Sequence, residues 1–108
     1  MDIFKKFRVL TVIDAINLSR TDKNAVLIDV RPKEEYKRGH VSGSVNVPMT
    51  KLDLIKGRVP STEKTLYVVG SYDCNPKKAV KELKKMGYKN AIPGGKMEEH
   101  QGPLKKSK

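Results

Sequence analysis

The one cysteine of the chain, Cys74, lies in a short polar segment between an apolar strand pattern and a helix signal. That segment comprises Gly70, Ser71, Tyr72, Asp73, Cys74 and Asn75. In an α/β domain, such a turn brings backbone N–H groups to the positive end of a helix, where anions and thiolates are stabilised. Lys77 and Lys78 add positive charge nearby, which favours a thiolate at Cys74. The segment is therefore a candidate ligand-binding loop, and Cys74 is its candidate nucleophile.

Metal and cofactor chemistry has little support in the sequence. One cysteine and two histidines, His40 and His100, do not supply a zinc ligand set, and a lone cysteine cannot form an internal disulfide. Gly94-Gly95-Lys96 lacks the first glycine of a nucleotide-binding loop, so we predict a tight turn there. His40 has no carboxylate or serine at a catalytic spacing, which favours a structural histidine. We predict no metal and no cofactor.

Charge is the strongest feature of the composition. The 108 residues include 23 Lys and Arg against 12 Asp and Glu, which gives a net charge of +11 and favours acidic or anionic partners. Many of the cations lie on one predicted helix and in the C-terminal tail: Lys77, Lys78, Lys81, Lys84, Lys85, Lys105, Lys106 and Lys108. A solvated helix face explains the helical group. Aromatic residues make up only 6% and no nucleic-acid motif is present, so the sequence disfavours nucleic acid as a partner.

The beginning of the chain bears on its location. Residues 1–10 interrupt their apolar side chains with charge, so they resemble neither a signal-peptide core nor a membrane span. Together with the single cysteine, this pattern leads us to expect a cytoplasmic protein with no membrane partner.

Strand and helix signals alternate around the loop. The strand patterns cover residues 25–30, 41–48, 65–69 and 90–92. Helix signals begin at Thr11, Pro32, Thr50 and Pro76, and Asn75 before Pro76 has the pattern of an N-cap. The alternation predicts a parallel sheet covered by helices, with ligands bound beyond the carboxyl ends of the strands. The loop at residues 70–75 lies at one such end.

The sequence also resembles the rhodanese-like domains. The resemblance rests on the run from Leu27 to Pro48, on Leu66-Tyr-Val-Val69, on Ala79 to Asn90, and on Gly94-Gly95. These matches follow the order and spacing of the family from about residue 25 to residue 95. The resemblance implies a five-stranded parallel sheet with helices on both faces. We expect a single rhodanese-like domain over residues 1–103 and a basic tail over residues 104–108.

The loop departs from the family pattern. Active members carry a cysteine at the first loop position, which holds a transferred sulfur as a persulfide, and an arginine five residues later. The matching positions here are Gly70 and Asn75, although the loop length is kept. The resemblance thus implies a preserved turn from which the nucleophile and the anion-binding charge are missing.

Three hypotheses follow. The first is a rhodanese-like domain without ordinary thiosulfate sulfurtransferase activity, which binds a protein partner or a small anionic or sulfur-containing ligand at the loop. The second is a sulfurtransferase or persulfide carrier that uses Cys74 as a displaced nucleophile. The third is a basic adaptor for acidic partners or nucleic acid. Whether the protein is an enzyme depends on which of these holds.

Overall fold

A computed structural model describes residues 10–106 of the chain. Its helices are α1 (Val12–Thr21), α2 (Lys33–Arg38), α3 (Ile55–Arg58) and α4 (Pro76–Lys85). Its strands are β1 (Ala25–Asp29), β2 (Val45–Asn46), β3 (Thr65–Gly70) and β4 (Ala91–Lys96). Short 3₁₀ segments cover Met49–Leu54 and Met97–Glu99. Strands and helices therefore alternate as the sequence pattern predicts.

The sheet is parallel, with strand order β2-β1-β3-β4. It has four strands among the described residues, so the expectation of five was wrong. The fifth strand came only from the family resemblance, because the sequence between residues 10 and 106 contains four strand patterns. Each of those patterns contributes one strand, and the shortest, β2, has two residues.

Two apolar clusters lie on the two faces of the sheet. Alternate residues of β3 divide between them, since Leu66 and Val68 belong to one cluster and Tyr67 and Val69 to the other. Helix α4 adds Ala79, Val80 and Leu83 to the first cluster, and α1 adds Val12, Ala15 and Ile16 to the second. The central strands are thus buried on both faces, as their near-continuous apolar runs predict.

The predicted starts of the two long helices are confirmed. Thr11 and Asp14 form a capping box at α1, with both reciprocal hydrogen bonds present. Asn75 caps α4, because its Oδ1 accepts from the Lys77 N–H at 2.9 Å, and Pro76 occupies the first helical position. The helix signal at Thr50 corresponds to a 3₁₀ segment, which begins at Met49 and has no side-chain cap.

The predicted tight turn at Gly94-Gly95 was wrong, since both glycines lie within β4. A Cβ atom on Gly95 would overlap the backbone nitrogen of Val12, and one on Gly94 would lie 2.7 Å from the Ala15 Cβ. The two glycines therefore allow α1 to pack closely against β4. The sequence does not indicate this role, because a Gly-Gly pair is also typical of a turn.

Residues 1–9, which carry the charge pattern considered for a signal segment, lie outside the described residues. No helix among residues 10–106 combines the length and apolar character that crossing a membrane requires. At the other end of the chain, Lys105 forms an antiparallel bridge with His40, with backbone bonds of 2.9 and 2.7 Å.

Candidate functional site

Two neighbouring strands, β1 and β3, end at the same edge of the sheet. Asp29 pairs with Val69, and the Val30 N–H donates to the Val69 carbonyl at 3.0 Å. Beyond these residues, β1 leads to Arg31 and β3 leads to Gly70. The candidate loop thus lies at the carboxyl edge of the sheet, as predicted from the strand pattern.

The end of β1 is filled by a buried ion pair. The Arg31 Nη2 lies 2.8 Å from Asp29 Oδ2 and also donates to the Gly39 carbonyl at 2.7 Å, while Arg31 Nε donates to both carboxylate oxygens. The Asn46 amide donates to the backbone carbonyls of Asp29 and Arg31. These groups satisfy one another, which gives Asp29 and Arg31 a structural role at the end of β1.

The pKa of Arg31 agrees with this structural role. Burial alone lowers the pKa of the Arg31 guanidinium, but the hydrogen bond and the charge of Asp29, aided by Glu35 and Glu98, raise it overall. Arg31 therefore carries its positive charge at neutral pH, as arginine does in proteins generally.

The end of β3 is closed over Gly70. A Cβ atom built on Gly70 would overlap the Cys74 carbonyl oxygen and would lie 3.2 Å from the Val30 Cγ2. The Ser71 N–H donates to that same carbonyl at 3.0 Å, so the turn folds back across the first loop position. The Cys74 carbonyl therefore occupies the space that a side chain at position 70 would need.

Three backbone N–H groups of the loop have acceptors within the protein. Besides Ser71, the Cys74 N–H donates to Ser71 Oγ at 3.0 Å, and the Tyr72 N–H donates to Glu98 Oε2 at 3.0 Å. A carboxylate of the chain itself thus accepts from one of the loop N–H groups that an external anion could otherwise use.

Cys74 lies beside the core. The residue is half-buried, and it packs against the apolar cluster that contains Ile28, Val30 and Ala79. Its neighbours Ser71 and Asn75 are used in hydrogen bonds within the turn and at the helix cap. This packing is typical of a cysteine that acts as a small apolar side chain.

Tyr72 and Asp73 are the exposed residues of the loop. The Tyr72 side chain is 66% exposed, and the Lys96 Nζ lies 4.6 Å from the centre of its ring. The cation and the Glu98 carboxylate therefore hold the tip of the loop against the end of β4. The loop presents an aromatic side chain in a defined position.

A small cleft of about 180 Å³ opens beside the loop. Its lining residues are Arg31, Glu35, Ser71, Met97, Glu98 and Leu104. Leu104 reaches it because the bridge between Lys105 and His40 holds the C-terminal segment there. The contributions of Glu98 and Leu104 were missed by sequence reasoning, since neither belongs to a motif and both reach the cleft from a distant part of the chain.

His40 is the structural histidine that the sequence predicts. Its Nδ1 lies 2.8 Å from the Tyr36 carbonyl, and its ring stacks on that of Tyr36 with centroids 3.9 Å apart. Because a carbonyl oxygen only accepts, Nδ1 carries the proton. Among residues 10–106, no group of three or more His, Cys, Asp or Glu side chains is placed to hold a metal ion.

The fold and the position of the loop define a rhodanese-like α/β domain. The model of the rhodanese-like domain family matches residues 12–93, and the chain belongs to this family. The family's homologues include sulfurtransferases and sulfur carriers.

Three relatives illustrate the range. The chain is 35% identical over 66 residues, 61% of its length, to an adenylyltransferase and sulfurtransferase of Ogataea parapolymorpha, and spans 17% of that protein. An alignment of 107 positions, which covers 88% of the chain, shows 32% identity to a tRNA uridine(34) hydroxylase of Buchnera aphidicola and spans 33% of that protein. The solved structure of a rhodanese with anions from E. coli matches with a TM-score of 0.64 and 28% identity over 76% of this chain and 98% of that one. The chain thus corresponds to a minor part of the two longer relatives.

Proposed function

We propose that this protein is a rhodanese-like binding domain without ordinary thiosulfate sulfurtransferase activity, and that its loop surface at residues 70–75 binds a protein partner. The observation that carries the proposal is the closed turn at Gly70. In a sulfurtransferase, the sulfur must be held where several N–H groups converge. Here a carbonyl oxygen, which repels a sulfur anion, lies next to that position.

The neighbouring groups support the same interpretation. Asn75, at the position where the family pattern has an arginine, brings no charge and uses its side chain to cap α4. A small anion at the loop would also have to displace Glu98 from the Tyr72 N–H. A protein partner need not do so, because it can contact the exposed side chain of Tyr72.

The alternative in which Cys74 transfers sulfur is disfavoured by the environment of that residue. A nucleophile needs a donor to approach it and N–H groups to stabilise the charge that develops on it. Cys74 packs on the apolar core, and its own N–H is bonded to Ser71. The Cys74→Ser variant separates the two functions because it removes the thiol with little change in size.

A sulfur-transfer assay tests the absence of activity. The protein is incubated with thiosulfate and cyanide, and thiocyanate is measured for the wild type and for Cys74→Ser. We expect both to stay at the background rate. Turnover by the wild type that disappears in Cys74→Ser would overturn the proposal and establish the sulfurtransferase alternative.

Photo-crosslinking tests the binding surface. Benzoylphenylalanine replaces Tyr72 in one variant and Lys78 in a matched variant, since both residues are exposed and Lys78 lies on α4. We expect a discrete crosslinked partner only from position 72. Binding of that purified partner should weaken about tenfold in Tyr72→Ala and stay unchanged in Lys78→Ala, as for an aromatic anchor residue. Equal effects of both changes would contradict a loop-centred interface.

A further inference from the structure

A second concave surface lies on a different side of α2. It is a groove of about 480 Å³ between α2 and the segment formed by residues 48–58, and we call it the α2–α3 groove. None of its lining residues belongs to the 70–75 loop or to the cleft beside that loop. The volume lies in the range that accommodates a compact ligand or a few side chains of a peptide.

The groove is strongly cationic. Lys33 and Lys37 line it from α2, Lys51 and Arg58 line it from the opposite element, and Glu34 is the one acidic side chain of the lining. The ion pairs described among residues 10–106 join Arg31 to Asp29 and Lys85 to Glu82, so none of them neutralises these four cations. Unpaired cations on both sides of a groove favour an anionic occupant.

The backbone of the groove distinguishes between kinds of anion. Many sites for small phosphates add free backbone N–H groups to their cationic side chains. Here Pro32 and Pro48 have no N–H, and the Met49 and Lys51 N–H groups donate to the Val30 and Pro48 carbonyls. The available charges are instead carried by long side chains on two walls, which suits carboxylates spaced along a chain.

An apolar residue completes the surface. Leu54 lines the groove between the cationic side chains and is 42% exposed. A partner that covers Leu54 with an apolar side chain would gain the burial of both groups. One exposed leucine among four cations is complementary to a peptide in which acidic residues flank an apolar one.

We propose that the α2–α3 groove binds an acidic peptide segment of a partner protein, in which carboxylates flank an apolar side chain. This site is independent of the loop surface at residues 70–75. The proposal assigns part of the excess positive charge to a binding site. The cations of the groove line a concave surface, whereas the lysines of α4 lie on a convex helix face.

The test uses a fluorescein-labelled peptide, acetyl-Glu-Glu-Leu-Glu-Glu-amide, and the matched peptide in which every Glu is Gln. Fluorescence anisotropy in low-salt buffer gives Kd for the wild type and for two groove variants. We expect binding of the acidic peptide only, with Kd raised about tenfold by Lys51→Glu with Arg58→Glu, and about three- to fivefold by Lys33→Gln with Lys37→Gln.

A matched control separates the groove from overall charge. Lys78→Glu with Lys81→Glu changes the net charge as much as the first groove variant does, but on α4, and we expect Kd to change by less than about twofold. Tyr72→Ala should also leave Kd unchanged. Thermal melts of each variant establish that it is folded.

Three results would overturn the proposal. The first is no binding of the acidic peptide by the wild type. The second is an equal loss in the groove and α4 variants, which would mean nonspecific attraction. The third is displacement of the peptide by millimolar inorganic phosphate, or by an oligothymidine that binds more tightly than the peptide does. If the groove variants also lose the binding of that competitor, the groove binds phosphates rather than carboxylates.

Discussion

The ends of β1 and β3 lie side by side, but they are filled in opposite ways. At the end of β1, Asp29, Arg31 and Asn46 form a buried network in which charged and polar groups satisfy one another. At the end of β3, the loop from Gly70 to Asn75 has no buried charge, and its backbone folds back on itself. Charged residues thus stabilise the end of β1. At the end of β3, the main chain closes over position 70, where the resemblance implies the reactive cysteine of active family members.

The largest expected effect lies at the end of β1. Asp29→Ala would leave the Arg31 guanidinium buried without its carboxylate, so we expect the free energy of unfolding to fall by about 3–5 kcal/mol. Urea denaturation measures the change. Glu82→Ala is the control, because its pair with Lys85 is exposed and should cost less than about 0.5 kcal/mol. If Asp29→Ala lowers the free energy of unfolding by as little as Glu82→Ala does, the network does not stabilise the end of β1.

The next effect concerns the closed turn. Gly70→Ala forces a methyl group against the Cys74 carbonyl, so we expect a loss of about 1–3 kcal/mol. Gly57→Ala is the matched change, because a Cβ there meets nothing within 4 Å, and it should be neutral or stabilise the protein by about 0.4–1 kcal/mol. If urea denaturation shows that Gly70→Ala is as harmless as Gly57→Ala, the turn is open.

A smaller effect is expected at the helix cap. Asn75→Ala removes the acceptor of the Lys77 N–H, so stability should fall by about 1 kcal/mol. Asn24→Ala changes an exposed asparagine outside any cap and should stay within about 0.3 kcal/mol of the wild type. Equal stabilities of the two variants in thermal melts would remove the structural role assigned to Asn75.

The smallest effect concerns the contact between the loop and the segment after β4. Glu98→Ala removes the acceptor of the exposed Tyr72 N–H, so we expect a stability loss of only about 0.5 kcal/mol. Hydrogen exchange is the sharper measurement, because the Tyr72 amide should exchange faster in this variant. Glu99→Ala, next along the chain, should leave that exchange rate unchanged. Identical rates in the two variants would show that Glu98 does not hold the loop.

Local signals predicted much of the fold. The apolar runs of β1 and β3 fix strands buried on both faces, and the capping residues Thr11 and Asn75 fix the starts of α1 and α4. Contacts between distant residues could not be predicted in this way. Gly95 serves the close approach of Val12 rather than a turn. The expectation of five strands came from the resemblance, whereas the strand patterns of the sequence give the four that are observed.

The candidate site was predicted in position but not in shape. The strand pattern located the loop at the carboxyl edge of the sheet, and the resemblance implies that Gly70 and Asn75 stand where active family members carry cysteine and arginine. The closure of the turn arises from backbone geometry, and the contact with Glu98 joins residues far apart in sequence. Neither the closed turn nor the Glu98 contact produces a residue spacing or a motif that could be recognised in a single sequence.

The intact mass of the protein after incubation with thiosulfate and other sulfane donors tests the central claim most directly. We predict a wild-type mass without added sulfur, because position 70 has no thiol and Cys74 packs against the core. A stable adduct of one sulfur atom on Cys74, absent from Cys74→Ser and removed by cyanide, would contradict the claim.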